Sequence, residues 1–175
     1  GLGQVNILSS VIFSGMSGAA VADAAGLGAI EMKAMNDAGF DKTFSAGITA
    51  ASSTIGPVIP PSIPFVVYAS IVGASVGKLF MAGFLPGLLM AVAMGISVYI
   101  TSKRKGYPTE PKMPWKLRMK MFVRAIPSLM TIVIIIGGIW GGFFTPTEAA
   151  VVASAYALIL GVFVYKELKP KDVLK

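Results

Sequence analysis

Ser52-Ser53-Thr54-Ile55-Gly56-Pro57-Val58-Ile59-Pro60-Pro61-Ser62-Ile63-Pro64 is the stretch whose reading fixes the architecture. Its four prolines remove four backbone donors and push the residues before them out of helical geometry. The stretch sits in the middle of residues 43–77, which contain no Asp, Glu, Lys or Arg. As one helix those residues would reach about 52 Å, against a hydrocarbon layer of about 30 Å. The helix must therefore break inside the apolar layer. Carbonyls freed at that depth are tolerated only where protein, water or an ion satisfies them.

Uncharged stretches continue on both sides, over residues 1–22, 79–102 and 125–147. In the whole chain of 175 residues, 55% are apolar and 13% charged. An average soluble domain carries about 25% charged residues. The composition predicts an all-α integral membrane protein. There is no His and no Cys, which excludes disulfides, thiolate nucleophiles, Ser-His-Asp triads and the common zinc sites. The net charge of +7 does not indicate a nucleic-acid partner, because eight of the 15 basic residues fall in 103–124 and four more in 166–175. Those segments flank apolar spans, where basic residues set topology.

The expected order is a hairpin over 1–30, a polar turn over 31–42 and the broken helix over 43–77. A span over 78–102 follows, then a basic loop over 103–124, a pair of spans over 125–165 and a basic tail over 166–175. In the first segment, Ser14-Gly15-Met16-Ser17-Gly18 interrupts the apolar run midway. Ser and Gly form helices poorly and cap them well, so a re-entrant hairpin turning at 14–18 is expected. Within the loop, Trp115, Met119 and Phe122 oppose Lys116, Lys120 and Arg124 at helical spacing, which predicts a short interfacial helix over 114–124. Thr145-Pro146-Thr147-Glu148 reads as a capping box, in preference to a proton-carrying role for Glu148. With the 103–124 loop cytoplasmic, 14 basic residues lie inside and Lys78 alone outside. Gly83, Gly87, Gly138 and Gly142 are expected to pack helices within one subunit. The chain opens Gly-Leu-Gly, without an initiator Met, and is expected to be a piece of something longer.

Two irregular, oxygen-rich stretches at mid-depth are the usual materials of a cation and substrate site in secondary transporters. A hard monovalent cation such as Na⁺ suits carbonyl and hydroxyl ligands. Ser14, Ser17, Ser52, Ser53 and Thr54 can offer hydroxyls, and Gly15, Gly56 and Pro57 carbonyls. Helices starting after Ser17 and Ser62 would aim positive dipole ends at the centre, which favours an anionic substrate. Asp23 is the remaining acid at membrane depth. It is either a functional carboxylate or a group in the watery mouth of the hairpin. No nucleophile–base pair or metal cluster is present, so an enzyme is not expected, and no cofactor beyond the coupling ion.

Four ordered motifs carry a resemblance. They are Ser14-Gly-Met-Ser-Gly-Ala-Ala-Val-Ala-Asp23-Ala-Ala-Gly-Leu-Gly28, Ala51-Ser-Ser-Thr-Ile-Gly-Pro-Val-Ile-Pro-Pro-Ser-Ile-Pro64, Ala82-Gly-Phe-Leu-Pro-Gly-Leu-Leu89 and Phe144-Thr-Pro-Thr-Glu-Ala-Ala150. Together they resemble the large membrane subunit of tripartite ATP-independent periplasmic (TRAP) transporters. The resemblance implies part of an elevator-type transporter of two inverted repeats in the bacterial or archaeal inner membrane, coupled to Na⁺. Its partners would be a periplasmic binding protein, a small four-helix membrane subunit and a carboxylate substrate such as a C4-dicarboxylate or a sialic acid. The 14–18 tip and the 52–61 break would form the first sodium site. Met16, Gly18, Pro60, Pro61 and Ser62 would line one wall of the substrate cavity. Met16 and Gly18 depart from the smaller or hydroxyl residues common there. The alternatives are a stand-alone sodium- or proton-coupled anion permease of related fold and a membrane scaffold subunit that transports nothing.

Overall fold

A computed structural model describes residues 1–108 and 113–166, and every element among them is helical. The helices fall into two compact units, Gly1–Pro111 and Lys112–Lys175. Three helical stretches are long and apolar enough to cross a membrane: Val76–Lys105, Trp115–Trp140 and Pro146–Val164. They leave much of their apolar surface uncovered, Leu85, Ile96, Val133 and Phe163 among it, as lipid-facing helices do.

In the first unit, α1 (Leu2–Ser17) stops where Gly18 takes a left-handed conformation, φ 61°, and sends its N–H back to Ser14 O. Ala19 is extended, and the chain returns through α2 (Ala20–Ala22), a π-helical turn (Asp23–Leu27) and α3 (Gly28–Asp37). The reversal is narrower than the sequence suggests. Residues 14–17 remain helical, with the Ser14 hydroxyl accommodated by a bond back to Ser10 O at 2.6 Å, and only Gly18 and Ala19 turn the chain. The polar turn also shrinks, from 31–42 to 38–41. Glu31, Met32, Lys33 and Ala34 are good helix formers, and Met35 buries its side chain, so α3 runs on to Asp37.

Asp41 caps α4 (Lys42–Ser53) by accepting from Thr43 N at 3.2 Å. The helix then fails, as the prolines require. Ser62 restarts it as α5 (Ile63–Val72), accepting from Phe65 N at 3.3 Å. Gly73 ends α5, and Ser75 caps the long α6 (Val76–Lys105). Ile7, Met35, Phe40, Ile48, Ile55, Ile59 and Val98 form one core that joins α1, α3, α4, the break and α6. The two glycines of α6 receive the break within this chain. A Cβ on Gly83 would meet the Phe65 ring and Val58 O, and one on Gly87 would meet the Ile59 side chain.

The second unit is α7 (Trp115–Trp140) packed against α8 (Pro146–Ile159), which ends in a π-helical turn (Leu160–Val164). The separate interfacial helix expected over 114–124 does not form. Those residues are the opening turns of α7, which continues through Pro127 without a stop. Pro127 removes one backbone donor, and two tyrosines attend the backbone around it. Tyr156 donates to Pro127 O at 3.0 Å, and Tyr165 donates to Arg124 O at 3.1 Å. Gly138 leaves room for the Phe144 ring, and Gly142 takes φ 72° in the turn between the helices. Thr145 accepts from Glu148 N at 3.3 Å while the Glu148 carboxylate accepts from Thr145 N at 2.8 Å. The capping box is present, and it accounts for Glu148. Of the basic tail, Lys166 is described; Lys169, Lys171 and Lys175 lie outside the described residues, as does Lys112 of the loop.

Replacing Thr145 with Ala should lower the stability of the purified full-length protein in chemical unfolding by about 1 kcal/mol, the usual effect of losing an N-cap. Gly83→Leu should cut the yield of folded protein more than Gly87→Leu, because Gly83 faces a backbone carbonyl and Gly87 only a side chain. Size-exclusion profiles of the two variants in detergent would test that order.

Candidate cation and substrate site

The two breaks meet. A Cβ on Gly18 would run into Pro61 O and the Ser62 backbone, and one on Gly56 would lie 3.3 Å from the Ala19 carbonyl carbon. The hairpin tip therefore rests its bare backbone on the proline break, and glycine permits that approach on both sides. At the break itself, Gly56 N donates to Ser53 O at 3.1 Å and Ile59 N to Ile55 O at 2.9 Å, so part of the irregular stretch is paired locally. Ser62 does double duty. It caps α5 and donates to Pro57 O at 2.5 Å, so the Pro57 carbonyl is already committed. The Pro60–Pro61 peptide bond is cis.

Below the tip, the facing surfaces of α1 and α4 carry a buried polar seam. Asn6, at 1% exposure, donates from Nδ2 to Thr49 Oγ1 at 2.9 Å. Ser52 Oγ donates to Asn6 Oδ1 at 2.8 Å, and Ser10 Oγ donates to Ser52 Oγ at 3.0 Å. Ser53 Oγ donates to Thr49 O at 2.7 Å. Burial of this many polar groups is tolerable because each has a partner.

Asp23 is the exception. It opens the π-helical turn of the returning arm at 1% exposure, beside the hydroxyls of Ser10 and Ser53. Neither of its carboxylate oxygens has a hydrogen-bond partner among the described residues. Of the two alternatives for this acid, a solvent-open mouth does not fit such burial. Glu31, on α3, likewise has both carboxylate oxygens buried without a partner among the described residues.

The remaining candidates divide by position. Ser14 and Gly15 are buried at the end of α1. Ser17 is partly exposed and accepts from Ala19 N at 3.5 Å. Met16 is partly exposed beside them, and Gly18 forms the contact with Pro61. Thr54 is exposed, with its hydroxyl bonded back to Ala51 O at 2.6 Å. Pro60 is buried and Pro61 partly so. Sequence reasoning missed Asn6, Ser10 and Thr49. Their signal was available as polar residues at helical spacing, Asn6-Ser10-Ser14 on α1 and Ser45-Thr49-Ser52-Ser53 on α4, each on the buried face.

The family profile described as "Tripartite ATP-independent periplasmic transporter, DctM component" matches residues 1–175. The chain is 50% identical over 173 residues to the sialic acid TRAP transporter permease protein SiaT of Haemophilus influenzae, covering 99% of this chain and 28% of that protein. It is 52% identical over 167 residues to the sialic acid TRAP transporter large permease protein SiaM of Vibrio cholerae, covering 95% of this chain and 39% of that one. To the C4-dicarboxylate TRAP transporter large permease protein DctM of Vibrio cholerae it is 39% identical over 170 residues, covering 97% and 38%. The chain thus spans well under half the length of these relatives. They are permeases, not enzymes, and the three apolar helices agree with a multi-pass protein of the bacterial inner membrane. A family profile that runs the length of the sequence, with relatives 50% and 52% identical over nearly all of it, makes this chain a member of the DctM family of TRAP transporter permeases.

Proposed function

We propose that this chain is part of the large permease of a Na⁺-coupled transporter that takes an organic acid from a periplasmic binding protein, works with a small membrane subunit, and moves its load by an elevator motion. The observation that carries this reading is the junction of the two breaks beside a buried, unpartnered carboxylate. Ionised in that setting, the Asp23 carboxylate would need a countercharge, which a monovalent cation at the junction would supply. The Ser14 and Ser53 hydroxyls have donated their hydrogens elsewhere and offer lone pairs to such an ion. Carbonyls at Gly15 and Gly56, with Ser17 and Thr54 at the edge, complete an oxygen-rich set for a hard cation. Met16, Gly18, Pro60, Pro61 and Ser62 would face the substrate. Greater identity to the sialic acid permeases than to the dicarboxylate one favours a sialic acid as that substrate.

The full-length complex, reconstituted in vesicles with its binding protein, should take up sialic acid only with an inward Na⁺ gradient. Uptake driven equally by K⁺ or by ATP, or undiminished without the binding protein, would refute the proposal. Excess succinate should leave that uptake intact. Gly18→Ala should abolish uptake while the protein still reaches the membrane, since the new methyl would push the tip off Pro61. Ser53→Ala should raise the Na⁺ concentration for half-maximal uptake by about tenfold, the cost of one lost ligand hydroxyl.

A further inference from the structure

The seam below the tip has a direction. Ser14 donates to Ser10 O, Ser53 to Thr49 O, Thr54 to Ala51 O and Ser52 to Asn6 Oδ1. In each pair the acceptor lies earlier on its helix, or farther down the hairpin, than the donor. These four hydroxyls spend their hydrogens away from the breaks and leave lone pairs toward them, while Ser10 Oγ donates across the seam to Ser52 Oγ.

Thr49 O is the crowded point. It stands one turn before Ser53 in α4, so the Ser53 N–H takes one of its two lone-pair directions through the ordinary helical bond. The Ser53 hydroxyl takes the other at 2.7 Å. Ser52 Oγ also lies within reach of the same carbonyl, at 3.2 Å. What keeps the Ser52 hydrogen from competing there is the better acceptor at 2.8 Å, Asn6 Oδ1. Asn6 is itself held by its bond from Nδ2 to Thr49 Oγ1 at 2.9 Å.

We infer that Asn6 is a positioning residue for the cation site. By accepting the Ser52 hydrogen it reserves Thr49 O for Ser53, and so keeps the Ser53 oxygen, not its hydrogen, turned to the ion. Ser52 is then a link in the seam and not a ligand, since its oxygen already accepts from Ser10. This inference rests on the Na⁺ reading above and assigns a role within it to a residue that touches neither ion nor substrate.

The test is Na⁺-dependent uptake by the full-length complex, read at saturating substrate. Asn6→Leu should raise the half-saturating Na⁺ concentration about tenfold, with the half-saturating substrate concentration at high Na⁺ unchanged. The freed Ser52 hydrogen is then the fault. Adding Ser52→Ala to Asn6→Leu should bring the Na⁺ value back to within about threefold of wild type, as the competitor for Thr49 O is gone. A merely structural Asn6 predicts the reverse: the double variant would be as poor as the single, or poorer. That result, or an unmoved Na⁺ value in Asn6→Leu, overturns the inference. Should Asn6→Leu fail to reach the membrane, Thr49→Val decides. It frees the Asn6 carboxamide without changing side-chain shape, and a rise of about threefold supports the inference while no rise overturns it. Wild-type uptake indifferent to Na⁺ would instead remove the reading beneath it.

Discussion

A backbone group left unpaired in hydrocarbon costs several kcal/mol, and this constraint shapes each place where the chain stops being helical. At the hairpin tip, Gly18 returns its N–H to Ser14 O. At the proline break, Ser62 both caps the next helix and takes up Pro57 O. In α7, Tyr156 and Tyr165 donate to Pro127 O and Arg124 O beside the internal proline. The same requirement is thus met at the tip and at the break, and the two meet backbone to backbone.

That junction is held from two directions. From the side, Gly83 and Gly87 of α6 let Val58, Ile59 and Phe65 close against the helix, so the irregular stretch is packed as tightly as a regular one. From below, the Asn6–Ser10–Thr49–Ser52 seam joins the first arm of the hairpin to the first half of the broken helix. A buried network with every member satisfied is directional and rigid in a way that apolar packing is not. The returning arm brings Asp23, whose carboxylate is buried without a partner among the described residues, into this frame through a π-helical turn. Such turns shift a side chain relative to the plain helix and recur at functional positions.

Much of the fold could be read from local chemistry. Four prolines in an uncharged run require a break in any context, and Thr145 with Glu148 three residues later requires a cap. Where the reading went astray, the residues gave weak or contrary signals. Ser14 and Ser17 cap helices in isolation, yet Ser14 can also bond backward and stay helical, as it does. The charges of 31–37 suggest a turn, but that segment is a helix with Met35 on its covered face. The amphipathic face of 114–124 is real, and nothing in its pattern says whether the helix stops at Arg124 or continues.

The amino-acid sequence alone determined where helix is impossible and where charge forbids lipid, because proline geometry and ion solvation act on each residue without regard to its neighbours in space. It therefore carried the membrane class, the broken helix, the capping box and the motifs of the family. Only the tertiary structure decided where the Ser10 and Ser52 hydrogens go, since that depends on the acceptor another helix brings within about 3 Å. It separated Ser52 from Ser53, drew in Asn6 and Thr49, and placed Asp23 in the interior. Hydrogen bonds between distant segments are a property of the packed chain, and no spacing rule along it contains them.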